Sequence, residues 1–207
     1  ETLLVQKPRS DEDGSWCFCG EAQRFIPLQA IDTRPELGIV TADQKQGEEV
    51  SPAMWNRMPK GSIFSMTITI KSQVDVKRHC HTMVQSGKNG SYQAELAGEQ
   101  ADIAQERTAR NKSIKLFPLS AGVYVRAKEK SDLHIKTMEA ISTLRTSGFN
   151  PIEPENDALP IDQYLYHLPM AYSEHHDKSN SRRSRLTYTD HLSRMLPLYG
   201  RGVGSGN

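Results

Sequence analysis

The chain has 207 residues, of which 36% are hydrophobic and 25% are charged. Its 26 basic and 25 acidic residues give a formal net charge of +1, so there is no overall attraction to nucleic acid, although charge can still be segregated locally. The three cysteines are too few for a disulfide framework, and no apolar stretch approaches the ~20 residues that cross a bilayer, so the composition fits a domain in a reducing, cytosolic setting.

The first third of the chain is predicted to form β-structure. Residues 15–20 and 23–31 are predicted to form a hairpin that turns at Gly20. Residues 62–71 alternate apolar and polar side chains with strict period two, which predicts a strand with one buried face. The side chains predicted to lie on that face are Phe64, Met66, Ile68 and Ile70.

The region that follows is polar and charged. Residues 73–86 show no clear pattern and are assigned no element, and Gly87 and Gly90 interrupt the chain after them. Residues 91–112 are rich in the helix formers Ala, Glu, Gln and Arg but contain few large apolar side chains. This second stretch is therefore predicted to be a helix that packs only partly on its own domain.

A strand, a helix and a second strand are predicted next. The first strand covers residues 119–126, and Pro118 fixes its start. Ser131 is the predicted N-cap of a helix that ends at Gly148, and residues 149–152 are predicted to be extended. The helix side chains predicted to be buried are Ile135, Met138, Ile141 and Leu144.

This interleaving of strands and helices predicts an α/β fold. We expect an α+β sandwich in which a mixed β-sheet carries helices mainly on one face, plus a helical C-terminal extension. Residues 1–150 are interpreted as one α/β domain and residues 151–207 as a linker and helical strap. The linker covers residues 151–160, where Pro, Glu, Asn and Asp dominate.

The strap is predicted to contain two short amphipathic helices. The first stops at Pro169, a polar run covers residues 173–184, and the second helix covers residues 188–196. A short helix is marginal in water, so the second is expected to be mobile unless another surface, such as a further domain or a second copy, covers it. The side chains predicted to be buried are Ile161, Tyr164, Leu165, Tyr166 and Leu168, then Leu192, Met195, Leu196, Leu198 and Tyr199.

Two clusters raise chemical alternatives. Cys17 and Cys19 share one face of a strand and could join the His-Cys-His run at residues 79–81 in a zinc site, but their spacing is poor. The His-His-Asp run at residues 175–177 suggests a hydrolase with a base and a carboxylate, but no nucleophile motif accompanies it. No catalytic, cofactor-binding or metal-binding residue is therefore assigned.

A basic, serine-rich loop is a candidate contact surface. Its composition suits contact with phosphate backbones without base reading, or docking on an acidic protein surface. A nucleic-acid-binding module that uses residues 178–185 is therefore an alternative function. The basic side chains of this loop are Lys178, Arg182, Arg183 and Arg185.

The glycine-rich end of the chain looks like a nucleotide-binding loop but lacks its chemistry. A phosphate loop has the form G-x-x-x-x-G-K-[ST], whose lysine reaches the phosphates and whose hydroxyl coordinates Mg²⁺. Gly200, Gly202, Gly204 and Gly206 are followed by Asn207, without such a lysine or hydroxyl. The chain is expected neither to bind nor to hydrolyse ATP, and it is interpreted as an excised portion of a longer protein.

The most specific residues lie in the C-terminal third. They are the segments DQYLYHLPM (162–170), RRSRL (182–186), HL (191–192) and LPLYGRGVGSG (196–206). Looser matches are PELG (35–38) and MPKGS (58–62). In order and spacing these segments resemble TraC-type conjugative-transfer ATPases, the hexamer-forming ATPases of type IV secretion systems on plasmids and integrative conjugative elements. The motif residues are Tyr164, Leu168, Pro169, Pro197, Tyr199, Gly200 and Arg201.

The resemblance implies a noncatalytic N-terminal domain of an ATPase whose phosphate loop lies beyond this chain. ATP and Mg²⁺ then belong to the parent protein, and this fragment has no cofactor. The resemblance also implies contacts with other secretion components and with the protein's own ATPase domain, while self-association and DNA contact stay open. It implies a cytoplasmic location at the inner face of the bacterial inner membrane, in a machine for pilus assembly and DNA or protein transfer.

Overall fold

The computed structural model of the protein describes residues 9–11, 13–18, 20–46, 48–88, 90–171, 173, 175 and 184–198. None of the helices in these ranges is long and apolar enough to cross a membrane. The strands are β1 (Arg9–Ser10), β2 (Trp16–Phe18), β3 (Glu21–Ile31), β4 (Gln44–Gln46), β5 (Glu49–Ser51), β6 (Ile63–Ile68), β7 (Leu116–Ala127), β8 (Phe149–Pro151) and β9 (Arg185–Tyr188). The helices are α1 (Met54–Arg57), α2 (Gln73–Gly87), α3 (Tyr92–Arg110), α4 (Lys130–Thr146), a 3₁₀ helix (Pro154–Asn156), α5 (Pro160–Tyr166) and α6 (Thr189–Met195).

The described part of the chain contains a two-stranded antiparallel sheet of β4 and β5 and a larger, seven-stranded sheet. The strands of the larger sheet lie in the order β1-β2-β3-β7-β6, β8 also pairs with β3, and β9 also pairs with β7. The predicted hairpin is confirmed: β2 and β3 are antiparallel, and Gly20 between them has a φ of 79°. Strands β3 and β7 are also antiparallel, with Phe25 opposite Tyr124. Together with the helices, the sheet confirms the predicted α/β class.

The chain divides into two compact units. Unit 1 comprises the described residues of Glu1–Thr67, Ser120–Arg185 and Ser193–Asn207. Unit 2 comprises the described residues of Ile68–Leu119 and Leu186–Leu192. The position after residue 150, where the sequence suggested a domain boundary, falls inside the second stretch of unit 1.

Helix α4 packs on β3 and β8 in unit 1 through a face that the sequence did not indicate. Ile141 and Leu144 are buried as predicted, but Ile135 and Met138 are 57% and 49% exposed. The helix begins at Lys130 after Glu129, so Ser131 is not its N-cap. Small side chains let the helix approach the sheet closely, and this geometry overrides the position of the largest apolar residues. The buried face is Leu133, Thr137, Ala140, Ile141 and Leu144.

Strands β6 and β7 both differ from their predicted limits. Strand β7 begins at Leu116, so Pro118 lies inside it and does not mark its start. The carbonyl oxygen of Pro118 still accepts a hydrogen bond from Thr69 N at 2.9 Å, because proline lacks only the donor. Strand β6 ends at Ile68, and Ile70 is fully outside the core. The predicted buried face of this strand is only partly covered, since Phe64, Met66 and Ile68 are half-buried.

Unit 2 is built on a helical hairpin of α2 and α3. The sequence pattern predicts no element over residues 73–86, but these residues are helical. The Ser72 hydroxyl accepts a hydrogen bond from Val74 N at the start of α2. The prediction of a partly packed helix over residues 91–112 is confirmed by α3, whose buried residues are Gly98 and Ala101. A side chain on Gly98 would lie 3.2 Å from the Gly87 Cα, so the helices touch through their glycines. The buried core is Val76, Cys80, Ala101 and Leu116.

The short C-terminal helices bury fewer of the predicted residues. In α5, Tyr164 and Tyr166 are buried as predicted, whereas Leu165 is exposed, because the helix turns its aromatic side to the sheet. Leu168, two residues beyond the helix, is exposed as well. Leu198 is also exposed, and Tyr199 lies outside the described residues.

Helix α6 is covered by the chain itself. Leu192 and Met195 are buried, although this helix was expected to need a further domain or a second copy to cover it. Gly38 N donates to Arg194 O at 2.8 Å within unit 1. In unit 2, Thr189 N donates to Lys115 O at 2.9 Å. The first residues of α6 follow directly on β9, a strand that the polar sequence before it did not reveal.

Candidate interaction site

An apolar groove of about 500 Å³ lies beside strand β6 in unit 1. Trp55 and Ile63 on its lining are 39% and 58% exposed, so the groove presents apolar surface to water. Four separate segments of the chain supply the lining. Its residues are Val40, Thr41, Trp55, Ser62, Ile63, Phe64, Met66, Met195 and Pro197.

Backbone hydrogen bonds hold the loop that borders the groove. Gly38 has a φ of 73°, a conformation that favours glycine, and its carbonyl oxygen accepts from Thr41 N at 2.9 Å. Trp55 N donates to Val40 O at 3.0 Å, which ties the start of α1 to the same loop. The bond from Gly38 N to Arg194 O adds the end of α6. The groove is therefore preformed by main-chain contacts, as binding grooves usually are.

Strand β6 adds a hydrogen-bonding edge to the groove. Among the described strands β6 pairs with β7 alone, so one side of its backbone takes no partner strand. Ser62 Oγ donates to Pro59 O at 2.7 Å and fixes the entry to the strand. An unpaired edge beside apolar pockets is the arrangement that binds an extended peptide by strand addition.

The groove brings together segments that are far apart in sequence. The PELG segment at 35–38 ends at the glycine bonded to Arg194. The MPKGS segment at 58–62 ends at Ser62, and Pro197 belongs to the C-terminal motif; both residues line the groove. Two segments that carry the resemblance therefore contribute to the lining, and the third ends two residues before Val40, which also lines the groove.

A buried serine–histidine pair lies elsewhere in unit 1. Ser120 Oγ is 2.6 Å from His167 Nε2, and His167 Nδ1 is 2.9 Å from the Gln163 carbonyl oxygen. That carbonyl can only accept, so Nδ1 carries the proton and Nε2 accepts from the serine. The sequence pattern does not reveal this pair, because 47 residues separate its members.

This pair is structural and not a nucleophile with its base. Ser120 and His167 are both almost wholly buried, so a substrate cannot reach the hydroxyl. A neutral carbonyl, not a carboxylate, orients the imidazole, and the Phe25 ring stacks on it with centroids 4.3 Å apart. Ser65 Oγ donates to the His167 carbonyl at 2.9 Å, which joins the cluster to β6.

Two tyrosines extend the buried cluster. Tyr124 OH donates to the Tyr164 carbonyl oxygen at 2.7 Å, and Tyr164 OH donates to Gln23 Oε1. Burial raises the pKa of Tyr124 far above its usual value, and the neighbouring Tyr164 adds to this shift. Burial also raises the pKa of Tyr164. Both phenols are therefore neutral structural donors.

An ion-pair cluster fixes the turn before β2. Arg24 is almost buried and lies 3.1 Å from Asp13 Oδ2, and Lys130 Nζ lies 2.9 Å from Asp11 Oδ2. Burial alone would raise the pKa of Asp13, but hydrogen bonds from Ser15 and the charges of Arg24 and Lys130 outweigh it and hold that pKa below its usual value. The two basic and two acidic side chains neutralise one another, and their role is to stabilise the fold.

Most of the basic loop falls outside the residues that the structure describes. Lys178, Arg182 and Arg183 lie outside the described residues, and Arg185 is exposed at the start of β9. The contact role of the basic loop, with nucleic acid or with protein, stays a prediction.

The described candidate zinc ligands are divided between β2, which holds Cys17, and α2, which holds the His-Cys-His run at residues 79–81. Cys17 is half-buried in β2, and Cys80 is buried in α2; Cys19 lies outside the described ranges. His175 is exposed, while residues 176–177 are likewise not described. Within the described residues no group of three His, Cys, Asp or Glu side chains could hold a metal ion.

The fold and the groove define an α/β protein with an open apolar groove at the edge of its sheet. The family described as TraC protein matches residues 1–172. The chain therefore belongs to the TraC family, has a role in conjugative transfer and is a component of the conjugation machinery. None of the curated proteins compared with the chain matches it. The family match includes Tyr164, Leu168 and Pro169 and ends before Pro197, Tyr199, Gly200 and Arg201.

Proposed function

We propose that this chain is a noncatalytic assembly domain of a conjugative-transfer ATPase. In this proposal it contacts other components of the secretion machine and its own ATPase domain. Membership of the TraC family supports the conjugative role, and the 207 residues contain no G-x-x-x-x-G-K-[ST] loop. The observation that carries the proposal is the groove, whose lining includes Ser62 and Pro197 from two of the segments that carry the resemblance.

The chemistry of the groove fits a protein partner. Burying apolar surface contributes about 25 cal/mol per Å², and tryptophan is among the side chains that most often dominate interface energies. Trp55 and Ile63 stand partly exposed on a lining that backbone hydrogen bonds already hold in place. A partner segment therefore gains apolar burial without first ordering the groove.

Two properties of the parent protein complete the proposal. ATP and Mg²⁺ bind to the ATPase domain of the parent and not to this chain. The domain works in the cytoplasm at the inner face of the bacterial inner membrane, where the assembled machine engages DNA or protein cargo. Both statements rest on the likeness to conjugative ATPases.

A transfer assay tests the groove. Donor cells would carry, as their sole copy, the protein with Trp55→Ala and Ile63→Ser, and conjugation frequency would be measured at matched protein levels. We expect transfer to fall by at least about tenfold, because the partner loses its main apolar contacts. Met138→Ala on α4, at a comparably exposed residue, is the control and leaves transfer unchanged. Normal transfer with the groove variant would reject the role of the groove.

Nucleotide binding is tested separately. Titration calorimetry of the chain with Mg-ATP is expected to show no binding heat, because no lysine or hydroxyl accompanies the glycine cluster. Micromolar binding that disappears when Gly202 and Gly204 are replaced by alanine would show that the glycine cluster binds nucleotide after all.

A further inference from the structure

Helix α3 in unit 2 carries a second apolar surface, distinct from its packed side. Tyr92, Leu96 and Ile103 are 79%, 46% and 62% exposed. At about 3.6 residues per turn these positions fall along one line of the helix, opposite the buried Gly98 and Ala101. We name these three residues the α3 stripe. A regular apolar stripe facing water is uncommon, because a surface helix normally presents polar side chains there.

Acidic side chains border this stripe on one side. They recur at the same helical spacing, one position along the helix surface from the apolar line. Arg110, which pairs with Glu106, is the only basic residue of α3 that lies close to this row; Arg107 instead contacts Asp190 and Tyr188. The surface therefore combines an apolar line with a strongly negative flank. The acidic residues are Glu95, Glu99, Asp102 and Glu106, all exposed.

We infer that the α3 stripe docks a basic amphipathic helix of a partner protein. Such a helix would cover Tyr92, Leu96 and Ile103 with its own apolar side chains and place lysines or arginines against the carboxylates. Charge complementarity selects this occupant, because opposite charges across an interface speed encounter and disfavour wrong partners. Two α3 stripes of the same chain would bring their acidic flanks together if they paired antiparallel, and they would offer no basic row to either flank in any pairing.

This surface is independent of the groove in unit 1. All of its residues belong to α3, and none lines the groove. Loss of binding at the α3 stripe would therefore leave the proposed role of the groove untouched, and the reverse also holds.

A pair of designed peptides tests the inference. Both are α-helical with leucines at helical spacing, and one has lysines and the other glutamates at the flanking positions. Fluorescence anisotropy with the full chain is expected to show binding of the lysine peptide at least about tenfold tighter than the glutamate peptide, with an affinity that falls as salt rises. Equal affinity for the two peptides, or no binding of either, would reject the inference.

Reversing the charges of the acidic row on α3 provides the decisive test. The variant E95K/E99K/D102K should reverse the preference, so that the glutamate peptide now binds more tightly. Ile103→Ser should weaken the binding of the lysine peptide, whereas Ile135→Ser, at an isoleucine of similar exposure on α4, should not. A lysine-peptide preference that survives the charge reversal would place the binding site elsewhere.

Sedimentation velocity excludes the competing occupant. Without peptide, the full chain and its Ile103→Ser variant are expected to show the same degree of self-association. If Ile103→Ser did abolish self-association, the stripe would belong to an interface between copies and the inference would be wrong. Circular dichroism of each variant confirms that exposed substitutions leave the helix content unchanged.

Discussion

The ring of Phe25 in β3 occupies the space beside Gly122 in β7. A Cβ on Gly122 would overlap Phe25 Cζ and lie 2.5 Å from the Ile26 carbonyl oxygen. Gly122 does not have a positive φ, so glycine is required here for space and not for backbone conformation. The two central strands can pair only because this residue lacks a side chain.

We therefore expect Gly122→Ala to destabilise unit 1 strongly. Its effect on the free energy of unfolding should exceed that of Gly20→Ala, which introduces only left-handed strain of about 1–2 kcal/mol. Urea unfolding of both variants measures the difference. Equal destabilisation by the two substitutions would contradict the steric requirement at Gly122.

Removal of the Ser120 hydroxyl should lower the free energy of unfolding and leave conjugative transfer unchanged. Ser120→Ala leaves the buried His167 Nε2 without its serine donor, and we expect the free energy of unfolding to fall by about 1–3 kcal/mol. Ser51→Ala, at an exposed serine in β5, is the matched control and should be neutral. Conjugative transfer at permissive temperature should stay unchanged, whereas its complete loss in a folded protein would point to chemistry at this pair.

The buried tyrosines predict a loss of stability in alkali. Their pKa values are raised in the folded state, so above pH ~10 the unfolded chain holds fewer protons than the folded one. The free energy of unfolding must then fall as pH rises. Tyr124→Phe should reduce this slope, which denaturant unfolding at several pH values would show. An unchanged slope in the variant would mean that Tyr124 is not protected from ionisation.

Arg107 should control the order of residues 186–192 in unit 2. Its guanidinium lies 2.9 Å from Asp190 Oδ2 and 4.1 Å from the centre of the Tyr188 ring. Arg107→Ala removes both contacts, and we expect faster hydrogen exchange at Thr189 and its neighbours. Arg110→Ala, which removes an exposed pair with Glu106, should leave that exchange unchanged. Fast exchange of this segment in the unaltered chain would contradict its packing.

Local pattern predicted several of the elements, but it revealed neither helix α2 nor the buried face of α4. The hairpin at Gly20 and the helix α3 were predictable, because period-two alternation and helix-forming composition act over short distances. The face of α4 was not, since close packing on β3 and β8 selects Thr137 and Ala140 over the larger Ile135 and Met138. Helix α2 was not predictable because its buried residues, Val76, Cys80 and Gly87, form no strong apolar pattern.

The groove and the serine–histidine pair could not be predicted from spacing. The groove needs Val40, Ile63 and Pro197 to meet, and only the sheet topology brings such distant positions together. Ser120 and His167 likewise meet through the packing of α5 on the sheet. The resemblance supplied the missing information in part, because Ser62 and Pro197 belong to segments that carry it and both line the groove.

The open edge of β6 also bears on solubility. A bare strand edge can recruit the same edge of another molecule and start aggregation. Lys60 precedes β6 and is exposed, and a positive charge at the end of an edge strand opposes such pairing between copies. A partner with a carboxylate at that end would meet no such repulsion. High concentration and high salt, which screens Lys60, are therefore the conditions in which the purified domain should precipitate first.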